Sequence, residues 1–245
     1  MRYAIELSYD GTPFNGWQIQ KNAPNTVQQI LENAFSTICK EPIKIYGCGR
    51  TDSGVHARQF VAHFDTNSSI PKNALKWLNN LLPTEIAVHK ILSVDNDFHA
   101  RFDATERTYK YYIHFQKNPF YTSYSLLLHQ KPDLILLNKA SILLVGEHDF
   151  KSFCKAPKED MSNYVCNISV AKWELIEDQL IFTVIANRFL RNMVRALVGT
   201  LLDVGFEKMT IEEFKSVIKS GKRSSAGLSA PACGLFLNQI KYPNL

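Results

Sequence analysis

Apolar residues take the odd positions Tyr3, Ile5, Leu7 and Tyr9, with Ala4, Glu6 and Ser8 between them. That period of two predicts a strand. Asp10-Gly-Thr-Pro13 is turn chemistry, and Phe14-Asn-Gly-Trp-Gln18 continues as a loop. Thr26-Val-Gln-Gln29 has the spacing of a capping box. Val27, Ile30, Leu31, Ala34, Phe35 and Ile38 then recur as one helical stripe that Pro42 ends. Strand-like runs at Ile43–Tyr46 and Gln59–Phe64 flank a glycine-rich loop. Pro71 opens a second helix with Leu75, Leu78, Leu81 and Leu82 inward, and Pro83 stops it. Strands follow at Ile86–Val94 and Arg107–Phe115. The order strand, helix, strand, strand, helix, strand is the split βαβ pattern of an α+β domain.

Residues 116–131 form a polar and aromatic connection. Beyond it the pattern predicts a helix at about 133–145, strands at 165–176 and 179–187, helices at 188–204 and 211–220, and a strand at 234–240. This echoes the first half without any residue-level repeat. The boundary is placed near 104, which divides the chain into 1–104 and 105–245.

Composition narrows the class. The 245 residues suffice for one large domain or two small ones, and 45% apolar residues can bury a real core. A net charge of +5 with a pI near 8.9 suits a polyanionic partner without demanding one. Five scattered cysteines, Cys39, Cys48, Cys154, Cys166 and Cys233, argue against a disulfide framework and for reduced thiols in the cytoplasm. The N-terminal residues lack the apolar core of a signal peptide, and no run approaches the ~18 apolar residues of a membrane span. His56 and His63 have no second ligand pair at zinc spacing, so no metal is expected.

The densest candidate chemistry is Tyr46-Gly-Cys-Gly-Arg-Thr-Asp-Ser-Gly-Val-His-Ala57. Three glycines surround one carboxylate, Asp52, and a guanidinium two residues earlier, Arg50. If the strand period persists that far, the two share a side, and the positive neighbour favours the ionised carboxylate. A nucleophile or base could be held this way, although such clusters between strands are commonly plain turns. Gly49-Arg-Thr-Asp-Ser-Gly-Val-His-Ala57 resembles the active-site motif of the tRNA pseudouridine synthase A (TruA) family over nine contiguous residues. Tyr9-Asp-Gly…Phe14-Asn-Gly-Trp-Gln18 is similar to the N-terminal region of that family.

Three further stretches join it. Arg107-Thr-Tyr-Lys-Tyr-Tyr112 interleaves bases with aromatics, which suits base stacking and phosphate contact; it equally suits a strand with an aromatic core face. Arg188-Phe-Leu-Arg-Asn-Met-Val-Arg-Ala-Leu-Val-Gly199 puts Arg188, Arg191 and Arg195 within an arc of about 60° on a helix. That is a solvated basic stripe or a phosphate-binding face. Gly199, one turn beyond Arg195, leaves room for a close approach. The C-terminal Arg223-Ser-Ser-Ala-Gly-Leu-Ser-Ala-Pro-Ala-Cys-Gly-Leu-Phe-Leu237 fits the family's Ala-Pro-Ala-x-Gly-Leu pattern. With these, the resemblance covers residues 3–242.

The resemblance implies an isomerase converting uridine to pseudouridine in the anticodon stem-loop of tRNA, at tRNA positions 38, 39 and 40. Asp52 is then catalytic, attacking the nucleotide or abstracting a proton. Tyr109 packs on the flipped uracil, Arg195 and Arg50 face the carboxylate and phosphate, and Leu235 is an apolar wall. His56 and Arg58, inside and just beyond the matched string, count as substrate-binding. Lys110 and Arg101 add salt-dependent affinity. No cofactor is implied, and the family suggests a cytoplasmic homodimer. The expected architecture is α+β: two ferredoxin-like, RRM-like α/β halves joined through a largely antiparallel central sheet, with helices packed on it and the active-site cleft between the halves. An RNA-binding module without activity is disfavoured because Asp52, Tyr109 and Arg195 are all present. A glycosidase-like hydrolase is disfavoured because the central loop supplies one carboxylate rather than two.

Overall fold

A computed structural model describes residues 1–155, 163–243 and 245. Its strands and helices run β1 (Arg2–Tyr9), α1 (Val27–Cys39), β2 (Ile45–Gly47), β3 (His56–Asp65), α2 (Ala74–Leu81), β4 (Ile86–Val94), β5 (Glu106–His114), β6 (Leu126–Leu127), α3 (Leu134–Ser141), β7 (Gly146–Asp149), β8 (Val165–Ile176), β9 (Gln179–Ala186), α4 (Met193–Gly205), α5 (Ile211–Ser220) and β10 (Leu235–Lys241). This is a mixed α/β fold with mostly antiparallel pairing, in line with the α+β expectation. Two compact units emerge: Met1–Thr105 together with Phe236–Leu245, and Glu106–Leu235.

In the first unit β1 lies between β3 and β4 and is antiparallel to both. The alternation read from Tyr3 to Tyr9 holds from Ile5 onward, where Ile5, Leu7 and Tyr9 are buried and Glu6 and Ser8 half-buried; before it Ala4 is buried and Tyr3 only half-buried. On β3, β2 pairs antiparallel at its far end, and β10 pairs parallel through Phe236 with His56 and Leu237 with Ala57. Helix α1 buries Val27, Leu31, Ala34 and Phe35, while Ile30 and Ile38 sit half-buried at the edge of the stripe. Thr26 Oγ1 caps it by accepting from Gln29 N, which is one half of the expected box. The reciprocal box is formed instead on α5, by Thr210 and Glu213. Lys40, in left-handed backbone at φ 55°, ends α1 ahead of Pro42.

The second predicted helix is shorter than its pattern. It starts at Ala74, after a turn in which Ala74 N donates to Pro71 O, and its cap Leu82 is already extended. That extended residue turns Leu82 inward, whereas Leu81, expected inside, is 54% exposed.

The second unit has the strand order β5-β9-β8-β7, antiparallel throughout, with β6 parallel on β5. Phe182 on β9 and Trp173 on β8 are register partners and pack ring to ring at 4.8 Å. Asp133 caps α3 by accepting from the backbone of Ile135 and Leu136. Helix α4 is apolar over most of its circumference and is the buried helix of this unit.

The stretch 188–204 is not one helix. Residues 188–192 are irregular, and Asn192 adopts left-handed backbone at φ 62°. Leu190 O accepts from Met193 N in a tight turn, and α4 starts there. The helical period is interrupted because a left-handed residue cannot continue a right-handed helix. The three arginines therefore share no helix face: Arg188 and Arg191 precede the helix, and only Arg195 is on it.

Two expectations follow from the fold. Asn192→Gly and Asn192→Val both lose the Asn192 side-chain bond to Ser229, but only valine is strained at φ 62°. Urea unfolding should show Asn192→Val less stable than Asn192→Gly by roughly 1–2 kcal/mol; equal midpoints would mean the backbone relaxes freely there.

The second concerns His63 on β3, which is 2% exposed and accepts the Ala100 N–H through Nδ1 at 3.2 Å. Burial first, then the neighbouring His99 and Arg2, lowers its pKa from 6.5 to about 4, against the opposing pull of Asp65 and Asp103. A folded pKa below the unfolded one means that the unfolded chain binds the proton first. Stability present above about pH 6.5 should thus be lost as pH falls towards about 4. The loss from this group should be on the order of 2 kcal/mol, and His63→Asn should flatten the urea midpoint across that window. An unchanged pH profile in the variant would assign the loss to other groups.

Candidate functional site

In the first unit Asp52 lies on the loop between β2 and β3. Strand β2 ends at Gly47, so the period of two does not carry to residues 50 and 52. The loop is held by the backbone of residues 10–18. Thr51 O accepts from Trp17 N at 3.2 Å, and Phe14 O accepts from Gly54 N at 3.4 Å and from Ser53 Oγ at 3.1 Å. Asp52 O accepts from Val55 N at 3.1 Å, closing a turn around the carboxylate-bearing residue. The Thr51 hydroxyl meets Tyr9 OH at 2.8 Å in a buried contact. Gly16 makes the approach possible: it has φ +79°, and a Cβ there would lie 2.5 Å from Thr51 O. Trp17 anchors the clamp by stacking on Phe60 of β3 at 3.9 Å. Asp52 itself is half-buried.

Arg50 is exposed, and its Nε donates to Gln18 Oε1 at 3.0 Å. His56 begins β3 and is 1% exposed. It stacks on Phe236 at 4.4 Å, and its Nδ1 lies 3.1 Å from both Gly11 N and Asp10 Oδ1. It thus braces the turn at Asp10 against the final strand. Arg58, two residues on, places its guanidinium 5.5 Å from the centre of the same Phe236 ring.

In the second unit Tyr109 is half-buried on β5, opposite Val184, with its ring edge-on to Phe189 at 5.0 Å. Its neighbour on the same face, Tyr111, is core: it is fully buried and its OH donates to Pro231 O at 2.8 Å. Burial raises its pKa well above the ordinary phenol value. The Arg107-to-Tyr112 alternation thus serves the core at Tyr111 and leaves Tyr109 nearer the surface.

Arg195 is half-buried on the first turn of α4 and locked to the segment before β10. Its Nε donates to Ala230 O at 2.7 Å, while its own carbonyl accepts from Ala230 N at 2.9 Å. That segment is organised by Arg223, which donates to Ala226 O, Gly227 O and Ser229 Oγ. Gly227 N donates to Thr200 Oγ1 at 3.0 Å. The space left by Gly199 is occupied by the Leu228 carbonyl, which a Cβ would meet at 1.7 Å. Leu235 follows at the start of β10 and is buried. Arg223 and Ser229 carry no periodic or local signal in the sequence; their function depends on contacts with α4 and is visible only in the fold. Among the described residues no group of three or more His, Cys, Asp or Glu side chains could hold a metal ion, and no helix is long and apolar enough to cross a membrane.

A profile of the family described as tRNA pseudouridine synthase matches residues 6–103 and 140–243 of this chain. The chain belongs to the tRNA pseudouridine synthase family. Relatives called tRNA pseudouridine synthase A include that of Azobacteroides pseudotrichonymphae, 45% identical over 244 residues, covering 99% of this chain and 97% of its own. The protein of that name from Bacteroides thetaiotaomicron is 46% identical over 246 residues, covering 99% and 91%. That of Bacillus subtilis is 40% identical over 251 residues and covers both chains in full. The family resemblance read from the motifs is thereby borne out, and in this pseudouridine synthase family member the five motif stretches fall on the end of β1 with its following loop, the Asp52 loop, β5, α4 with the residues before it, and the Arg195 cradle running into β10.

The cradle yields an expectation. Gly199→Ala should push the Leu228 carbonyl off α4 and destabilise the protein by about 1–3 kcal/mol. Leu228→Ala, whose side chain is 89% exposed, should change stability by less than ~0.5 kcal/mol. Denaturant midpoints check both, and a silent Gly199→Ala would mean that the segment shifts without loss.

Proposed function

We propose that this chain isomerises uridine to pseudouridine in the anticodon stem-loop of tRNA, at tRNA positions 38, 39 and 40, with Asp52 as the nucleophile. Family membership carries the coarser statement: the protein is an isomerase that acts on tRNA. The observation that supports Asp52 is its placement. A half-buried carboxylate sits on a loop whose backbone is fixed on both sides by residues 10–18.

The reaction balances within the nucleotide. The glycosidic bond from C1′ to N1 breaks, the uracil turns, and a bond from C1′ to C5 forms; C5 loses a proton and N1 gains one. A base paired in a stem has to be extruded before its far edge is reachable. Asp52 attacks the nucleotide as a carboxylate nucleophile, and the bond it forms is broken again before the pseudouridine leaves, so that the carboxylate is regenerated. Tyr109 packs on the extruded uracil, and Leu235 closes an apolar side. Arg195 and Arg50 supply guanidinium forks that match carboxylate and phosphate oxygens. Arg58, Arg101 and Lys110 add electrostatic affinity for the RNA, and His56 holds the Asp10 turn against which the catalytic loop rests. In this reading the two α/β halves are ferredoxin-like, and the enzyme works as a cytoplasmic homodimer. The order of elements in the first unit, with β1 between β3 and β4 and β2 outside β3, supports that view of the first half.

Tritium released from C5 of uridine-labelled tRNA tests the assignment. Asp52→Asn should lower single-turnover release by at least about a thousandfold while tRNA affinity changes little, since asparagine is isosteric and the loop is held by its backbone. More than a few per cent of wild-type turnover in that variant would remove Asp52 from the nucleophile role. Tight tRNA binding by the wild-type protein without tritium release would instead mark an RNA-binding module without activity.

A further inference from the structure

The Asp52 loop is held by backbone bonds, but Arg50 is held by side chains. Gln28 and Glu32 are four residues apart on α1 and so share a face. Glu32 Oε1 accepts from Gln28 Nε2 and from Ile45 N, each at 3.0 Å. Gln28 Nε2 also donates to Ile45 O at 3.0 Å, and Gln28 Oε1 accepts from Ile19 N and from Gln18 Nε2, again at 3.0 Å. Gln18 Oε1 in turn accepts from Arg50 Nε at 3.0 Å.

The polarity of this chain is forced. An amide can be placed either way round, and its hydrogen-bond partners decide. A backbone carbonyl and a carboxylate only accept, so the Gln28 amino group has to face Ile45 O and Glu32. A backbone N–H only donates, so the Gln28 oxygen has to face Ile19 N. Gln18 then turns its amino group to Gln28 and its oxygen outward. A guanidinium only donates, and Arg50 meets that oxygen. Every link agrees from a carboxylate on α1 to the arginine two residues before Asp52. Bonds in such a chain polarise one another in the same sense.

We infer that Glu32, Gln28 and Gln18 form a positioning relay that orients the Arg50 guanidinium beside the catalytic loop. With Nε committed to Gln18, the guanidinium plane is set, and its two Nη groups are the edge available for bidentate contact with a phosphate of the target nucleotide. The inference rests on the proposed role of Arg50 in the site. The three relay residues touch Arg50 or one another; they act on the reaction only through it.

A double-mutant cycle on single-turnover pseudouridine formation at saturating enzyme tests this. Gln18→Met keeps the length of the side chain and removes both hydrogen bonds. It should slow the reaction by about tenfold, with tRNA affinity within about twofold and an unchanged urea midpoint, because Gln28 keeps its bonds to Ile19, Ile45 and Glu32. Arg50→Met should slow it at least as much, and the Gln18→Met/Arg50→Met double variant should be no slower than Arg50→Met alone. Equal slowing by Gln18→Met in both backgrounds would overturn the relay, because Gln18 would then act by another route. So would a wild-type rate for Gln18→Met beside a slow Arg50→Met, and in that case the role of Arg50 would stand. If Arg50→Met runs at the wild-type rate while Asp52→Asn is inactive, the proposed role of Arg50 falls, and the relay falls with it.

Discussion

The Asp52 loop depends on a backbone clamp. Residues 48–55 belong to no strand or helix, so their polar backbone groups need partners from elsewhere. The loop at 10–18 supplies them through Phe14 O and Trp17 N. That second loop is itself tied to α1, where Gly16 O and Trp17 O accept from the backbone of Val27 and Gln28. Asn25, at φ 63°, donates from its side chain to Pro13 O, and Asn15 donates to Pro24 O. Two irregular segments thus brace one another, and Trp17 against Phe60 joins the pair to the sheet. Little conformational freedom is left at Asp52, which suits its proposed role as nucleophile.

Arg195 is held by the same device in the second unit. A helix residue and an irregular segment exchange two hydrogen bonds, Arg195 Nε to Ala230 O and Ala230 N to Arg195 O. Arg223 then gathers three acceptors of that segment. In both units a residue of the proposed site is held by contacts that are distant in sequence, so its placement comes from tertiary structure and not from the propensity of the element that carries it. Such sites tolerate poor local signals: Asn192 in left-handed backbone opens α4 one residue before Met193, and Asn192 Nδ2 in turn reaches Ser229 of the cradle.

Where one physical cause acted along a stretch, the sequence was legible. The strand at Ile86–Val94 and the helix at Ile211–Ser220 have the bounds expected from their sequences. The helix has one buried face at Phe214, Val217 and Ile218, whereas the strand buries only Ile86 and Val88 and shifts register against β1 just beyond them. The stretch 188–204 failed because apolar and basic residues keep a helical period through Asn192, and period alone cannot register one left-handed residue. Leu81 failed because two turns of helix plus an extended cap bury Leu78 and Leu82 instead. The motif strings carried the family, since a run of nine contiguous residues is specific in a way that periodicity is not.

The relay from Glu32 to Arg50 had no such signal. Its members are spaced by 4, 10 and 32 residues along the chain, and glutamines in a loop and on a half-exposed helix face look like ordinary solvated residues. What makes them more than that is directional consistency: donors and acceptors that only donate or only accept stand at both ends, so each amide has one permitted orientation. A helix face therefore sets the direction of a guanidinium through two side chains of no net charge. In the same region the clamp fixes Asp52 through its backbone. The carboxylate and the arginine beside it are thus held by separate means, and a substitution that disturbs one need not move the other.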